Sequence, residues 1–170
     1  MSAGAAGPAT WGTSRSRGTN TEDRLAITDL LYRYAEMIDA GDFNGVGQLL
    51  ARATFGGTRS SEVSGAAAIA KLFAMTTRRF PATGNTPRTR HLVLNPIVEV
   101  YADGTATARS TFCVVQATDT VPLQPIVVGR HLDGFSCDDT GWYFTARQVD
   151  VEMIGDVSAH LKVDPSDFDR

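Results

Sequence analysis

The feature that most restricts this chain is a succession of four long, apolar, β-branched runs in its second half. They cover residues 90–101, 105–118, 126–137 and 142–153, each parted from the next by a turn. Asp103-Gly104 is a strong hairpin signal. Two prolines punctuate residues 120–125, and Asp138 to Gly141 forms the last turn. Strands joined this tightly can only pair antiparallel, because a parallel crossover needs a dozen or more residues. The spacing therefore predicts a four-strand meander.

Helices precede the meander. Thr21 is a plausible N-cap, and Glu22 and Asp23 place negative charge in the first turn, where the helix dipole favours it. Ile27, Leu30, Leu31, Tyr34 and Ile38 recur at the helical period, and Gly41 is the expected stop. Asp42 can cap a second, shorter helix over residues 43–51, which Gly45 and Gly47 weaken. A short strand is expected over residues 54–56, a loop over 57–64 and a third helix over 65–80. Helices first and strands afterwards predict an α+β fold. A long curved antiparallel sheet wrapped on a helix encloses a cone with an internal pocket.

The chain of 170 residues is 42% apolar and 21% charged, enough for one domain with a core. The domain is expected over residues 21–155, with a Gly/Ala/Ser-rich tail over 1–20 and a loosely held acidic tail over 156–170. The net charge of −3 argues against a nucleic-acid partner. Apolar stretches fall short of the ~20 residues of a membrane span. Cys113 and Cys137 are read as reduced core residues, which favours the cytoplasm. With no Cys/His cluster, phosphate-cradling loop or dinucleotide fingerprint, no metal and no cofactor are expected.

Four short motifs carry a resemblance. The first helix reads Asp29-Leu-Leu-Tyr-Arg-Tyr-Ala-Glu-Met-Ile-Asp39-Ala-Gly-Asp42-Phe43; Arg90-His91 is followed by Asn95; Gly129-Arg130-His131-Leu132-Asp133 opens a later strand; Gly141-Trp142 precedes Arg147. In this order, over residues 22–153, they resemble the SnoaL-like proteins of the NTF2-like superfamily. Its members include polyketide cyclases, scytalone dehydratase, bile-acid 7α-dehydratase and the non-catalytic β subunits of ring-hydroxylating dioxygenases. The resemblance implies the same cone.

The candidate catalytic residues are His91, Asp39 and Tyr34. His91 opens a strand on which His91, Val93 and Asn95 share a face, and an imidazole there can exchange protons near neutrality. Asp39 ends a helix, where a carboxylate opposes the dipole and so invites a compensating role. Accepting from the His91 ring would fix its tautomer; the resemblance to the dehydratases implies this pairing. Tyr34 lies within the apolar stripe, its hydroxyl in need of a partner, and its spacing to Asp39 resembles that in bile-acid 7α-dehydratase. Tyr32 is the weaker alternative. Asn95, Gln116 and His131 are candidate substrate-binding residues. The resemblance adds Arg147, where bile-acid dehydratase has a pocket arginine, and Phe55, where scytalone dehydratase carries a tyrosine. The second catalytic histidine of scytalone dehydratase falls near Gln116, so the dehydratase set is incomplete.

These features point to a cofactor-free acid–base enzyme for a hydrophobic, oxygenated, cyclic small molecule, by dehydration, double-bond isomerisation or cyclisation. The alternatives are a binding protein without turnover and a structural β-type dioxygenase subunit. Leu92, Leu94, Val98 and Val100 are expected on the convex side of the sheet, predicting a homodimer or homotrimer.

Overall fold

The computed structural model describes residues 21–57 and 62–163. The N-terminal tail, the centre of the 57–64 loop and residues 164–170 lie outside the described residues. The elements are α1 (Thr21–Ala40), α2 (Phe43–Leu49), β1 (Thr54–Gly57), β2 (Val63–Ser64), α3 (Ala66–Thr76), a 3-10 turn (Pro81–Thr83), β3 (Thr89–Val100), β4 (Thr105–Gln116), β5 (Gln124–Asp138) and β6 (Gly141–Ile154). Helix α1 buries Ile27, Leu31, Tyr34 and Ile38 along one stripe. Thr21 is already helical, so the cap falls outside the described residues. The helix ends as its glycine predicts. Gly41 has φ 74°, its N–H bonds to Ile38 O, and the Asp42 N–H reaches Met37 O. This is the paired bond pattern of a left-handed C-terminal cap. Asp42 then caps α2 by accepting from the Gly45 N–H at 2.8 Å. Gly47 is weak for helix formation but necessary for packing, since a Cβ there would sit 2.3 Å from Ala66 O on α3.

The six strands run in the order β2-β1-β6-β5-β4-β3. The meander β3–β6 is antiparallel throughout, as predicted. The sheet as a whole is mixed, because β1 pairs parallel with β6. That pair is allowed because the rest of the chain supplies a long crossover. Register shifts between Leu94 and Ile97, Val114 and Val115, Val128 and Gly129, and Gly134 and Phe135 bend the sheet around α1.

Several expectations change. The third helix stops at Thr76, and part of the 57–64 loop is strand β2. The bulge at Asn95, with φ 52°, reverses the inward and outward sense of β3. Asn95 is therefore exposed, whereas Val98 and Val100 join the core instead of the convex face. Cys137, expected in the core, is exposed at the end of β5. Residues 156–163 are anchored: Val157 and His160 are buried, and the Lys162 N–H bonds to Thr76 O.

Candidate active site

α1 lies across the start of β3, and a cleft of about 910 Å³ opens there, lined by Tyr32, Ala35, Asp39, Thr89, His91 and Val93 among others. Because β3 is an edge strand, its outward N–H groups have no partner strand among the described residues. The Asp39 carboxylate takes one of them: the His91 N–H donates to Oδ2 at 2.8 Å. The Thr89 hydroxyl donates to Oδ1 at 2.8 Å, and His91 Nδ1 lies 2.6 Å from the same oxygen. Burial acts to raise the Asp39 carboxyl, but the hydrogen bonds and charge of His91, with Thr89, outweigh it and hold the carboxyl below its ordinary value. An ionised carboxylate only accepts, so Nδ1 carries the proton. In the neutral ring Nε2 is then the nitrogen with a free lone pair. Three donors also offset the unfavourable position of Asp39 at a helix C-terminus.

The other candidates divide by place. Tyr32 is half-exposed and lines the cleft with the pair. Asn95 is exposed beyond the bulge. Phe55 is in the core, its ring 5.2 Å from that of Phe73. Gln116 is fully buried, and its Nε2 donates to Pro87 O at 3.0 Å and Ala159 O at 3.3 Å, fastening the C-terminal segment to the strand. It faces backbone instead of the cleft.

Tyr34, His131 and Arg147 belong to a separate, buried polar layer. The Arg147 side chain is wholly inaccessible; its guanidinium carbon lies 3.9 Å from the Tyr34 ring centroid and its Nη2 lies 2.7 Å from His131 Nδ1. A guanidinium can only donate, so His131 Nδ1 accepts and the ring proton is on Nε2. Burial, then the Arg147 and His91 charges, push His131 well below the ordinary histidine value. Its ring stacks on Phe112 with centroids 4.4 Å apart. Asp133, two residues along the same face, faces Arg147 at 3.7 Å, too far for a hydrogen bond. Burial lifts the Asp133 carboxyl to about 6 against the opposing pull of Arg147. Burial also pushes the Tyr34 phenol to about 12. Both carboxylate oxygens of Asp133, Arg147 Nε and Nη1, and Ser110 Oγ are buried without a hydrogen-bond partner among the described residues.

Three residues escaped the sequence reading. Thr89 lies two residues before His91 on the same strand face, and Asp133 shares the period-two face of His131. His160 had no such signal. It is buried, its Nδ1 has no partner, and burial, with the nearby His91 charge, lowers it to about 4. Among the described residues, no group of three or more His, Cys, Asp or Glu side chains could hold a metal ion.

Helices packed into a bent sheet, with a histidine–carboxylate pair at the opening, define a cystatin-like, NTF2-type cone. The family comparison makes this specific: residues 19–148 match the SnoaL-like domain, and the chain belongs to that family. Similar solved structures include an NTF2-like protein of cystatin-like fold from Novosphingobium aromaticivorans, at 24% identity, covering 82% of this chain and 87% of that one, with a TM-score of 0.65. A candidate scytalone dehydratase from the same organism matches at 18% identity over 81% of this chain and 89% of that one, with a TM-score of 0.64. ActVI-ORFA from Streptomyces coelicolor matches at 15% identity over 76% and 96%, with a TM-score of 0.61. At these identities the likeness is one of fold. Among curated proteins, none matches the chain. No helix among the described residues is long and apolar enough to cross a membrane.

Proposed function

We propose that this protein is a cofactor-free acid–base enzyme acting on a hydrophobic, oxygenated, cyclic small molecule. The observation that carries the reading is the Asp39–His91 pair in the wall of an open cleft, with the ring proton held on Nδ1. His91 Nε2 removes a proton from a carbon next to a carbonyl, and Asp39 stabilises the imidazolium that forms. The C–H electron pair passes to the carbonyl as an enolate. In dehydration the enolate then expels a β-hydroxyl, which takes the proton from His91 and leaves as water. Isomerisation and cyclisation share the first step. We favour dehydration, in which a single histidine can serve both proton transfers.

Turnover of cyclic β-hydroxy ketones, followed by mass spectrometry for loss of 18 mass units, tests this directly. The wild-type protein is expected to turn over at least one such compound, and His91→Ala to lose that activity. Equal turnover by the variant would sink the mechanism. Tight binding without turnover would favour the binding-protein reading.

We also propose that the protein forms a homodimer or homotrimer through the outer face of the sheet. Leu92, Leu94, Leu132 and Met153 are each more than two-fifths exposed there. A monomer by light scattering at micromolar concentration would contradict it.

A further inference from the structure

On the other side of loop 80–88 from the cleft, three cations converge on one notch. Arg78, Arg79 and Lys162 line it with Phe80 and Asn85, around a volume of about 310 Å³. The sequence places the two arginines side by side; only the fold brings Lys162 to them, from the segment after β6. Each is tied down by backbone carbonyls. Arg78 Nε donates to Ser158 O at 3.1 Å and Leu161 O at 2.8 Å. Arg79 Nη1 donates to Gly41 O at 3.3 Å, and Lys162 Nζ to Ala74 O at 2.8 Å.

Carbonyls orient these side chains without neutralising them. Among the described residues no carboxylate lines the notch, and none pairs with these three cations. The chain as a whole carries a net charge of −3, so this cluster runs against its overall balance. Like charges held together repel, and an anion between them relieves the repulsion. A guanidinium presents five donors in a planar fork, and Arg78 and Arg79 each spend only one nitrogen on the backbone. Two forks and an ammonium exceed what a singly charged carboxylate needs. They suit a tetrahedral dianion.

We propose that the notch formed by Arg78, Arg79 and Lys162 binds a phosphate group, free or as the terminus of a larger ligand. Its position makes the larger ligand feasible. Phe80 and Asn85 face the notch, while Thr83 and Thr86 of the same loop line the cleft. The site stands independently of the His91 chemistry.

Calorimetry and amide NMR on the full chain at low ionic strength test it, with inorganic phosphate and phenyl phosphate as probes. Phosphate is expected to bind saturably and to shift the Asn85 and Lys162 amides. Arg79→Gln and Lys162→Gln should each weaken it about three- to tenfold, as should added salt. Arg109→Gln, on the outer face of the sheet, should leave it unchanged. Phenyl phosphate that binds more tightly and also moves the His91 amide identifies the notch as the anchor of a larger ligand. Equal affinity, with shifts confined to the notch, identifies a free-phosphate site. No saturable binding up to about 10 mM overturns the proposal. So does affinity indifferent to both notch substitutions. Binding that appears only after Asp164, Asp167 and Asp169 are changed to Asn would assign the notch to the chain's own acidic end.

Discussion

Two buried carboxylates among the described residues face a cationic or potentially cationic partner, and they are treated in opposite ways. Asp39, at the cleft, receives three hydrogen bonds and is held ionised. Asp133, in the interior, faces Arg147 across 3.7 Å with neither oxygen hydrogen-bonded to protein, and burial lifts it to about 6. The first arrangement is preorganised: it fixes one tautomer and leaves one nitrogen for chemistry. The second is a buried pair with unsatisfied groups, each costing about 1–3 kcal/mol unless water or a ligand supplies a partner. A satisfied pair at an opening suits proton transfer.

The largest effect should fall on the cleft pair. Asp39→Asn turns one of the two accepting oxygens into an NH2 donor and removes the charge that stabilises the imidazolium, and turnover is expected to fall about 10²–10⁴-fold with little loss of secondary structure. Long-range nitrogen–proton NMR should show His91 changing tautomer. An unchanged tautomer would break the contrast between the two carboxylates.

Next comes the interior. Arg147→Met strands Asp133 as an unpaired buried carboxyl and should cost about 3–5 kcal/mol in urea unfolding. Adding Asp133→Leu should restore most of that loss, because the cost lies in the stranded charge. If the double variant is no better than the single one, the pair contributes more than charge balance.

A smaller effect is expected from acid. His160 is depressed to about 4 against an unfolded value near 6.5, so between these values the unfolded chain binds more protons. The His160 contribution to stability is therefore lost as pH drops from about 6.5 to about 4, by up to about 3 kcal/mol. The raised Asp133 carboxyl works in the opposite direction, so the test is the difference between wild type and His160→Gln, which should lack this loss. Asp39 has the depressed carboxylate pattern. Its contribution is present above the unfolded value and is lost only as pH falls through the lower folded one. Tyr34→Phe should be the mildest change, within about 1.5 kcal/mol of wild type in stability, since it keeps the ring packed against Arg147. A larger loss would place the hydroxyl within the polar layer's bonding.

Much of the architecture was legible because it follows from local rules. The α1 stripe, the Gly41 stop, the Asp42 cap and the 103–104 turn each depend on a few neighbouring residues, and all four are present. The pairing of Asp39 with His91 was legible by a mixed route, from the oddity of a carboxylate at a helix C-terminus and from a family resemblance. Asn95 was misplaced because alternation assumes an unbroken strand. One residue in the left-handed region, followed by a proline, was enough to exchange the two faces of β3 beyond it.

The sequence by itself determined the order of the elements, their approximate ends and the inward stripe of α1, since these depend on periodicity and turn chemistry within a few residues. The tertiary structure alone decided which polar groups share a space. It set Thr89 beneath Asp39, closed Asp133 against Arg147 across the β5–β6 register, and seated His160 and Lys162 from an apparent tail. Those meetings depend on where bulges bend a sheet and where a segment returns to pack. The free energy of such contacts is gained only between residues distant in the chain, and no local pattern records it.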